Sequence, residues 1–200
     1  RSRGLGDVYK RQVDNCYISL NGPEVPIMDG SSKFFIKAIE EAKIIEQNAL
    51  REEFFPSEKI SYKCEETGSV LSIIPDDTYK IETKIDFNTK VLGTQTASIK
   101  DINEFKDEIS AARTFSFLHE LEALLENGLI KGGDLNNAIV YVDKPLANSN
   151  MDRLKKAFNK ESISVTPNGI LDNLSLHYPN EAARHKLLDV IGDLALIGMK

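Results

Sequence analysis

Three side chains that can bind or orient a metal or a proton lie four residues apart near the end of the chain, at His185, Asp189 and Asp193. In a helix, this spacing places them on one face, where the first two can converge on one ion. Neutral imidazole and carboxylate both suit Zn²⁺, and a catalytic zinc site uses three protein ligands and leaves one position for water. Asp193 can orient a further catalytic group. The same spacing is typical of the hydrated face of an amphipathic helix, and spacing alone leaves both interpretations open.

The element that must position these side chains is a helix from about Ala182 to Ile197. Asn180 is a favourable N-cap, and Glu181 suits the positive end of the helix dipole. Apolar residues cover most of the remaining circumference, which predicts a largely buried helix with one narrow polar stripe.

The rest of the chain shows strands in runs and helices in runs, which indicates an α+β fold rather than a doubly wound sheet. Three of the strands, between residues 59 and 87, are predicted to form an antiparallel meander. The predicted strands are 13–20, 59–64, 69–74, 79–87, 94–99, 138–142 and 163–165. The predicted helices run from Ser31 or Ser32 to about residue 50, from the cap Asp101 through Ile109, through Phe117 and Leu121 to Leu125, and over about 151–158.

Composition excludes several classes of protein. The chain has 200 residues, 41% of them hydrophobic, which is enough for a core. The net charge of −6 argues against general nucleic-acid binding. Cys16 and Cys64 are too few for a disulfide framework, so reduced thiols and a cytoplasmic location are expected. Membrane insertion is not expected, because no apolar run approaches the roughly 20 residues of a span.

The two ends of the chain differ from the rest. Residues 1–12 show no helix or strand period and resemble translated adapter sequence, so they are not expected to contribute to the fold. At the other end, Met199 and Lys200 follow Gly198 directly after an apolar helix, with no closing element. We therefore expect a chain truncated on both sides.

Five ordered segments closely resemble the UDP-3-O-acyl-N-acetylglucosamine deacetylases of Gram-negative lipid A synthesis. The similarity runs from about Val13 to Gly198. The helix after residues 28–32 most resembles the Bacteroidetes-type version, in which the deacetylase can be fused to a hydroxyacyl-carrier-protein dehydratase. The segments are NGPEVPIMDGS at 21–31, RTFSF at 113–117, NGLIKGG at 127–133, NAIV at 137–140 and RHKLLDVIGDL at 184–194.

The resemblance implies two α+β domains of the α/β sandwich type found in the second domain of ribosomal protein S5, with the active site between them. Residues 13–50 would form the end of the first domain, and residues 51–200 most of the second. A β-α-β insertion at about 133–171 would form a passage for the acyl chain.

The implied activity is the zinc-dependent hydrolysis of the acetamide of UDP-3-O-acyl-N-acetylglucosamine, the committed step of lipid A synthesis. His185 and Asp189 match two zinc ligands of the family. Asp193 matches the carboxylate that positions the catalytic histidine. Thr114 matches the hydroxyl that stabilises the tetrahedral oxyanion, although a helix-capping role is its alternative.

The resemblance also implies a set of substrate contacts. Lys186 matches a cation that suits the diphosphate, and Phe115 and Phe117 match aromatic positions near the sugar and the acyl passage. Asp86 and Phe87 resemble the nucleotide-binding segment. The alternatives are core packing for the aromatic residues and a solvated helix face for Lys186.

The chain also departs from the family pattern. The Glu-His pair that supplies the general base and the third zinc ligand is expected upstream of Val13, and the catalytic His of a Gly-His segment beyond Lys200. Ser116 replaces the Gly often found between the two aromatic residues. We therefore expect this chain to bind zinc weakly and not to turn over. The competing hypotheses are a noncatalytic nucleotide-sugar or acyl-chain binding module, and an interaction domain that exposes the 114–117 loop.

Overall fold

The computed structural model describes residues 13–49, 54–121, 135–144, 152, 154–156, 158–171 and 174–197. These residues form a mixed α/β structure with small sheets, which is compatible with the predicted α+β class. The helices are α1 (Lys33–Glu41), a 3-10 turn (Ile102–Glu104), α2 (Phe105–Glu108) and α3 (Glu181–Ala195). The strands are β1 (Ile60–Lys63), β2 (Val70–Ile73), β3 (Ile81–Asp86), β4 (Thr94–Ile99), β5 (Phe115–Phe117) and β6 (Ile139–Tyr141).

Helix α1 is shorter than the sequence predicts. It follows Ser32 as expected but ends at Glu41 rather than near residue 50. Lys43 adopts a left-handed conformation with φ of 63°, which a helix cannot continue through. The hydroxyl of Ser32 donates to Ser110 O at 3.2 Å instead of capping the helix. These contacts, with the burial of Ile36 in the main core, fix α1 to the later part of the chain.

Two antiparallel hairpins follow, at the predicted positions. Strands β1 and β2 pair with each other, and β3 pairs with β4. The predicted meander is wrong among the described residues, because β2 and β3 belong to different two-stranded sheets. The two strands are separated by Pro75, which has no N–H to donate, and by a turn. In that turn, Asp76 accepts a hydrogen bond from Thr78 N at 2.9 Å. The strand predicted over 13–20 is also wrong, since those residues form no regular element.

The segment after β4 carries the predicted cap. Asp101 accepts a hydrogen bond from Asn103 N at 2.8 Å and opens the 3-10 turn that leads into α2. Phe105 and Ile109 are buried, as their spacing predicts.

Strands β5 and β6 form a parallel pair in which Phe115 lies opposite Ile139. Strand β6 confirms the strand predicted over 138–142. Phe117 was expected on a helix, but it ends β5, and helical residues begin only at 118. The helix prediction rested on the spacing from Phe117 to Leu121, but the β-prone residues of 115–117 pair with β6 instead. The strand predicted over 163–165 is reduced to a single bridge between Val165 and Leu171.

Helix α3 confirms the predicted last helix and packs against β3 and β4. Its apolar residues Leu187 and Ile191 join the main core, which also contains Ile139 and Tyr141 of β6. Val140, which points to the other face of β6, belongs to a second cluster with Leu154 and Leu171.

Several predictions lie outside the described residues or stay untested. Residues 1–12, which were predicted to be adapter-like, the helical positions Leu124 and Leu125, and residues 198–200 are outside, as is a smaller part of the 133–171 insertion. The boundary between domains near residue 51 stays a prediction. In the described part of the chain, none of the helices combines the length and apolarity of a membrane span.

Candidate functional site

His185 is the most deeply placed of the predicted metal ligands. Its side chain is 3% exposed on α3, so it does not lie on a hydrated helix face. Its Nδ1 atom lies 3.0 Å from Ala112 O. Because a carbonyl oxygen only accepts, Nδ1 carries the proton, and a neutral ring then has its lone pair on Nε2. That tautomer is the one in which Nε2 serves as a metal ligand.

Asp189 lies one turn further along α3 and faces this nitrogen. Its Oδ1 atom is 3.7 Å from His185 Nε2. Two donors bound tetrahedrally to one Zn²⁺ at the usual bond lengths stand about 3.4 Å apart, so the pair fits half of a zinc site with little movement. Among the described residues, no group of three or more His, Cys, Asp and Glu side chains converges on a point. The two donor atoms, an imidazole nitrogen and a carboxylate oxygen, are chemically suited to zinc.

Lys186 joins this pair to an aromatic surface. Its Nζ atom lies 3.0 Å from Asp189 Oδ2 and 5.7 Å from the centre of the Phe115 ring. The ammonium group therefore lies between the carboxylate and a ring face that favours cations. The resemblance implied a substrate-contacting role for Lys186, which stays a prediction; its side chain lies beside Asp189.

The aromatic surface contains four rings, one from Phe87 directly after β3 and three from β5 and β6. Phe87 contacts Phe115 and Phe117 edge to face, with ring centres 5.7 and 5.4 Å apart. Phe115 contacts Tyr141 in the same way at 5.9 Å. Burial and the negative charge of Glu181 raise the pKa of Tyr141 to about 12, so its hydroxyl stays protonated. Phe117 is a core residue, whereas Phe87 is 42% exposed and gives the cluster an open edge.

Thr114 enters β5 with both backbone groups engaged. Its N–H donates to Gly30 O at 2.8 Å, and its carbonyl accepts from Ile139 N at 2.9 Å. The helix-capping alternative is wrong, because a strand rather than a helix follows Thr114 directly. Ala112, whose carbonyl binds His185, is only two residues away, so one short segment connects Thr114 to the candidate metal ligand.

Gly30 is a site-supporting residue to which the sequence analysis gave no role. It has a φ of +82°, and a Cβ on it would lie 1.8 Å from Asn137 O. A glycine is therefore required both by conformation and by space. The available signal was its place in the MDGS segment, between Asp29 and two serines.

Arg113 and Glu181 form a second feature that the sequence analysis missed. Arg113 Nε donates to Glu181 Oε1 at 2.8 Å, and Nη2 donates to Oε2 at 3.2 Å. Burial acts to raise the pKa of Glu181, but hydrogen bonds from Arg113 and His177 and the charge of Arg113 hold that pKa below its ordinary value. The sequence placed Glu181 only at the helix dipole. Its partner is 68 residues away and left no local signal.

The two remaining predicted positions lie at the margins of this site. Asp86 is exposed and accepts from Thr94 Oγ1 and Asn88 N at 2.8 Å each. The Asn88 and Thr94 hydrogen bonds hold the pKa of Asp86 below its ordinary value, so it stays a carboxylate. Asp193 lies one turn beyond Asp189 on α3 and is exposed.

The chain matches a model of a known protein family. The model described as "LpxC: UDP-3-O-acyl N-acetylglycosamine deacetylase" matches residues 5–161 and 150–200. The chain is 40% identical over 195 residues to a protein of Bacteroides thetaiotaomicron and 42% identical over 194 residues to one of Porphyromonas gingivalis, both named "Bifunctional enzyme LpxC/FabZ". It is 36% identical over 196 residues to the UDP-3-O-acyl-N-acetylglucosamine deacetylase of Helicobacter hepaticus.

These alignments cover unequal shares of the proteins compared. They include 98%, 97% and 98% of this chain, respectively. The chain spans 42% of the length of each bifunctional enzyme and 57% of the Helicobacter deacetylase.

Proposed function

Because the chain belongs to the UDP-3-O-acyl-N-acetylglucosamine deacetylase family, we propose that the protein carrying it is a zinc-dependent hydrolase. Its substrate is UDP-3-O-acyl-N-acetylglucosamine, from which it removes the N-acetyl group in lipid A synthesis. The observation that carries the proposal is the pairing on α3 of buried, Nδ1-protonated His185 with Asp189 at 3.7 Å.

The residues of α3 would hold the metal. Nε2 of His185 and Oδ1 of Asp189 are the two donor atoms that this chain supplies. Zinc, when bound, lowers the pKa of a coordinated water so that a nucleophile is available near neutral pH. Asp193, further along the same helix, would orient the catalytic histidine that the family pattern contains.

The neighbouring residues would bind and polarise the substrate. The Thr114 hydroxyl would donate to the oxyanion that develops on the acetamide carbonyl. Lys186 would supply positive charge for the diphosphate. Phe115 and Phe117 would pack against the sugar and the acyl chain, and the Asp86–Phe87 segment would contact the nucleotide.

The first test is metal content and deacetylation in the full-length protein that contains these residues. His185→Ala and Asp189→Asn are expected to lower both bound zinc and the rate, with a rate loss on the order of 100-fold or more. Asp107→Asn, an exposed carboxylate on α2, is the matched control and should keep the wild-type rate and metal content. Full activity in His185→Ala would exclude the proposed role of α3.

The competing hypothesis is a noncatalytic module that binds a nucleotide sugar or an acyl chain. The aromatic cluster with Lys186 at its edge would serve such binding without a metal. Metal analysis separates the two, because the hydrolase is expected to carry about one zinc per chain.

Two broader proposals follow from the relatives. The names of the Bacteroides and Porphyromonas proteins support a bifunctional full-length protein with a fused dehydratase domain. A cytoplasmic location suits a nucleotide-sugar substrate. Expression of the full-length gene with assays for both activities tests the first, and cell fractionation tests the second.

A further inference from the structure

Residues 111–114, which we call the clamp segment, are bound to the neighbouring structure at four consecutive positions. The Ala111 carbonyl accepts from His177 Nδ1 at 2.9 Å, and the Ala112 carbonyl accepts from His185 Nδ1 at 3.0 Å. Arg113 binds Glu181, and Thr114 N donates to Gly30 O. Ala112, which contacts the candidate metal ligand, therefore has bonded residues on both sides.

The centre of the clamp segment is the Arg113–Glu181 ion pair. The two side chains are only 6% and 0% exposed. Glu181 Oε1 accepts from both the backbone N–H of Arg113, at 3.0 Å, and its Nε, at 2.8 Å. Arg113 Nη2 also donates to Ser175 O at 2.5 Å. One carboxylate thus fixes the backbone and the side chain of the same residue.

Such a pair contributes geometry more than stability. A buried ion pair costs desolvation that its attraction barely offsets, and well-packed apolar replacements are often as stable. The planar guanidinium fork, by contrast, allows one orientation only. The pair is therefore of interest for its position. Arg113 directly follows Ala112, and Glu181 lies one helical turn before His185.

The helical period connects the two contacts. Glu181 and His185 are four residues apart and lie on one face of α3, so both meet the same extended segment. Because Glu181 holds Arg113, the carbonyl of the preceding Ala112 is kept 3.0 Å from His185 Nδ1. A carbonyl held in this way selects the protonation site of the imidazole.

We propose that Arg113 and Glu181 are positioning residues that keep His185 in its Nδ1-protonated tautomer, with Nε2 directed toward Asp189. The effect on zinc affinity rests on the proposed function. The tautomer itself does not, because it is a property of the metal-free chain.

The experiment records the histidine ring nitrogens of the ¹⁵N-labelled chain by long-range ¹H–¹⁵N correlation, without metal and at a pH where His185 is neutral. The wild-type chain should show protonated Nδ1 and unprotonated Nε2 for His185. In Glu181→Gln and Arg113→Lys, the two tautomers should mix, and the affinity for Zn²⁺ alone should fall about 10- to 100-fold. Glu108→Gln is the matched control, since it breaks the Arg184–Glu108 pair beside His185 without touching the clamp segment.

The outcomes distinguish the proposals. Folded single variants that keep the wild-type tautomer would overturn the positioning role and leave only a structural one. If the single variants do not fold, the double variant Arg113→Met, Glu181→Leu replaces the pair by apolar side chains and decides, because a retained single tautomer there contradicts the proposal. If the full-length wild-type protein keeps one tautomer at His185 but binds no zinc, the zinc role is refuted and the positioning role remains.

Discussion

At the scale of single residues, the site depends on which ring nitrogen of His185 carries the proton and on the close approach of Gly30 to Thr114. His185 can serve as a ligand through Nε2 because Ala112 O occupies Nδ1. Thr114 keeps its place because Gly30 brings a carbonyl within 2.8 Å of its N–H. A substitution that shifts either carbonyl group is therefore expected to alter the geometry of the site, although it changes no proposed catalytic side chain.

Gly30→Ala is expected to destabilise the chain by about 2–4 kcal/mol, since the new Cβ meets Asn137 O and the residue must keep a positive φ. Chemical denaturation measures the loss. Two other glycines separate the causes. Gly68 has a φ of +71° but open space, so Gly68→Ala should cost about 1–2 kcal/mol. Gly22→Ala, which meets neither constraint, should change stability by less than about 0.5 kcal/mol. Equal losses at all three positions would contradict this account.

Glu181 should make the chain less stable in acid. Its pKa is lower in the folded chain than the ordinary 4.5, so its ionised form stabilises the fold at neutral pH. This contribution is complete above about pH 4.5 and is lost as the pH falls through the lowered folded value. Urea denaturation from pH 7 to about pH 3 should therefore show a shallower decline for Glu181→Gln than for the wild type. Parallel declines in the two proteins would refute the assignment.

At the scale of elements, sequence patterns predicted the helices and hairpins that are determined by interactions between residues close in sequence. The polar stripe on α3 could be predicted because a helix repeats every 3.6 residues. The hairpins could be predicted because runs of strand-forming residues are separated by turn residues. The end of α1 at Glu41 and the strand character of Phe117 were not predictable in this way. The first depends on a left-handed Lys43, and the second on parallel pairing with a strand more than twenty residues away.

The same distinction applies within the site. His185, Lys186 and Asp189 are neighbours on one helix, so their spacing already indicated a shared face. Arg113 and Glu181 are joined across 68 residues, and neither has a periodic pattern that points to the other. The resemblance to a family supplied the role of Thr114, but the contact that positions it, from Gly30, required the folded structure.

Helix α3 should depend on its buried face for its position. Leu187 is fully buried against the strands that α3 covers, so Leu187→Ala should cost about 2–5 kcal/mol through lost burial and a residual cavity. Leu196→Ala, just beyond the helix and 71% exposed, removes the same atoms and should change stability by less than about 0.5 kcal/mol. Denaturant midpoints of the two variants provide the measurement. A similar loss in both would mean that α3 is not held by this face.

At the scale of the whole molecule, the β5–β6 pair separates two hydrophobic clusters. Phe117, Ile139 and Tyr141 join the main core under α3, whereas Leu118 and Val140 join the second cluster. Because β5 begins directly after the clamp segment, packing on both faces of this pair fixes the direction in which the chain passes from Thr114 into the strand. The candidate site is therefore supported from the core and not by surface loops alone.

The two antiparallel hairpins should differ in local stability. Nearly all side chains of β1 and β2 are exposed, whereas alternate residues of β3 and β4 pack beneath α3. A two-stranded hairpin without a covered face is marginal in water. Hydrogen exchange of this chain should therefore show the β1–β2 ladder amides exchanging at least about tenfold faster than those of β3–β4. Leu187→Ala should reduce protection in β3–β4 and leave β1–β2 unchanged. Equal protection of the two hairpins in the wild-type chain would show instead that β1–β2 is stabilised by contacts other than its own ladder.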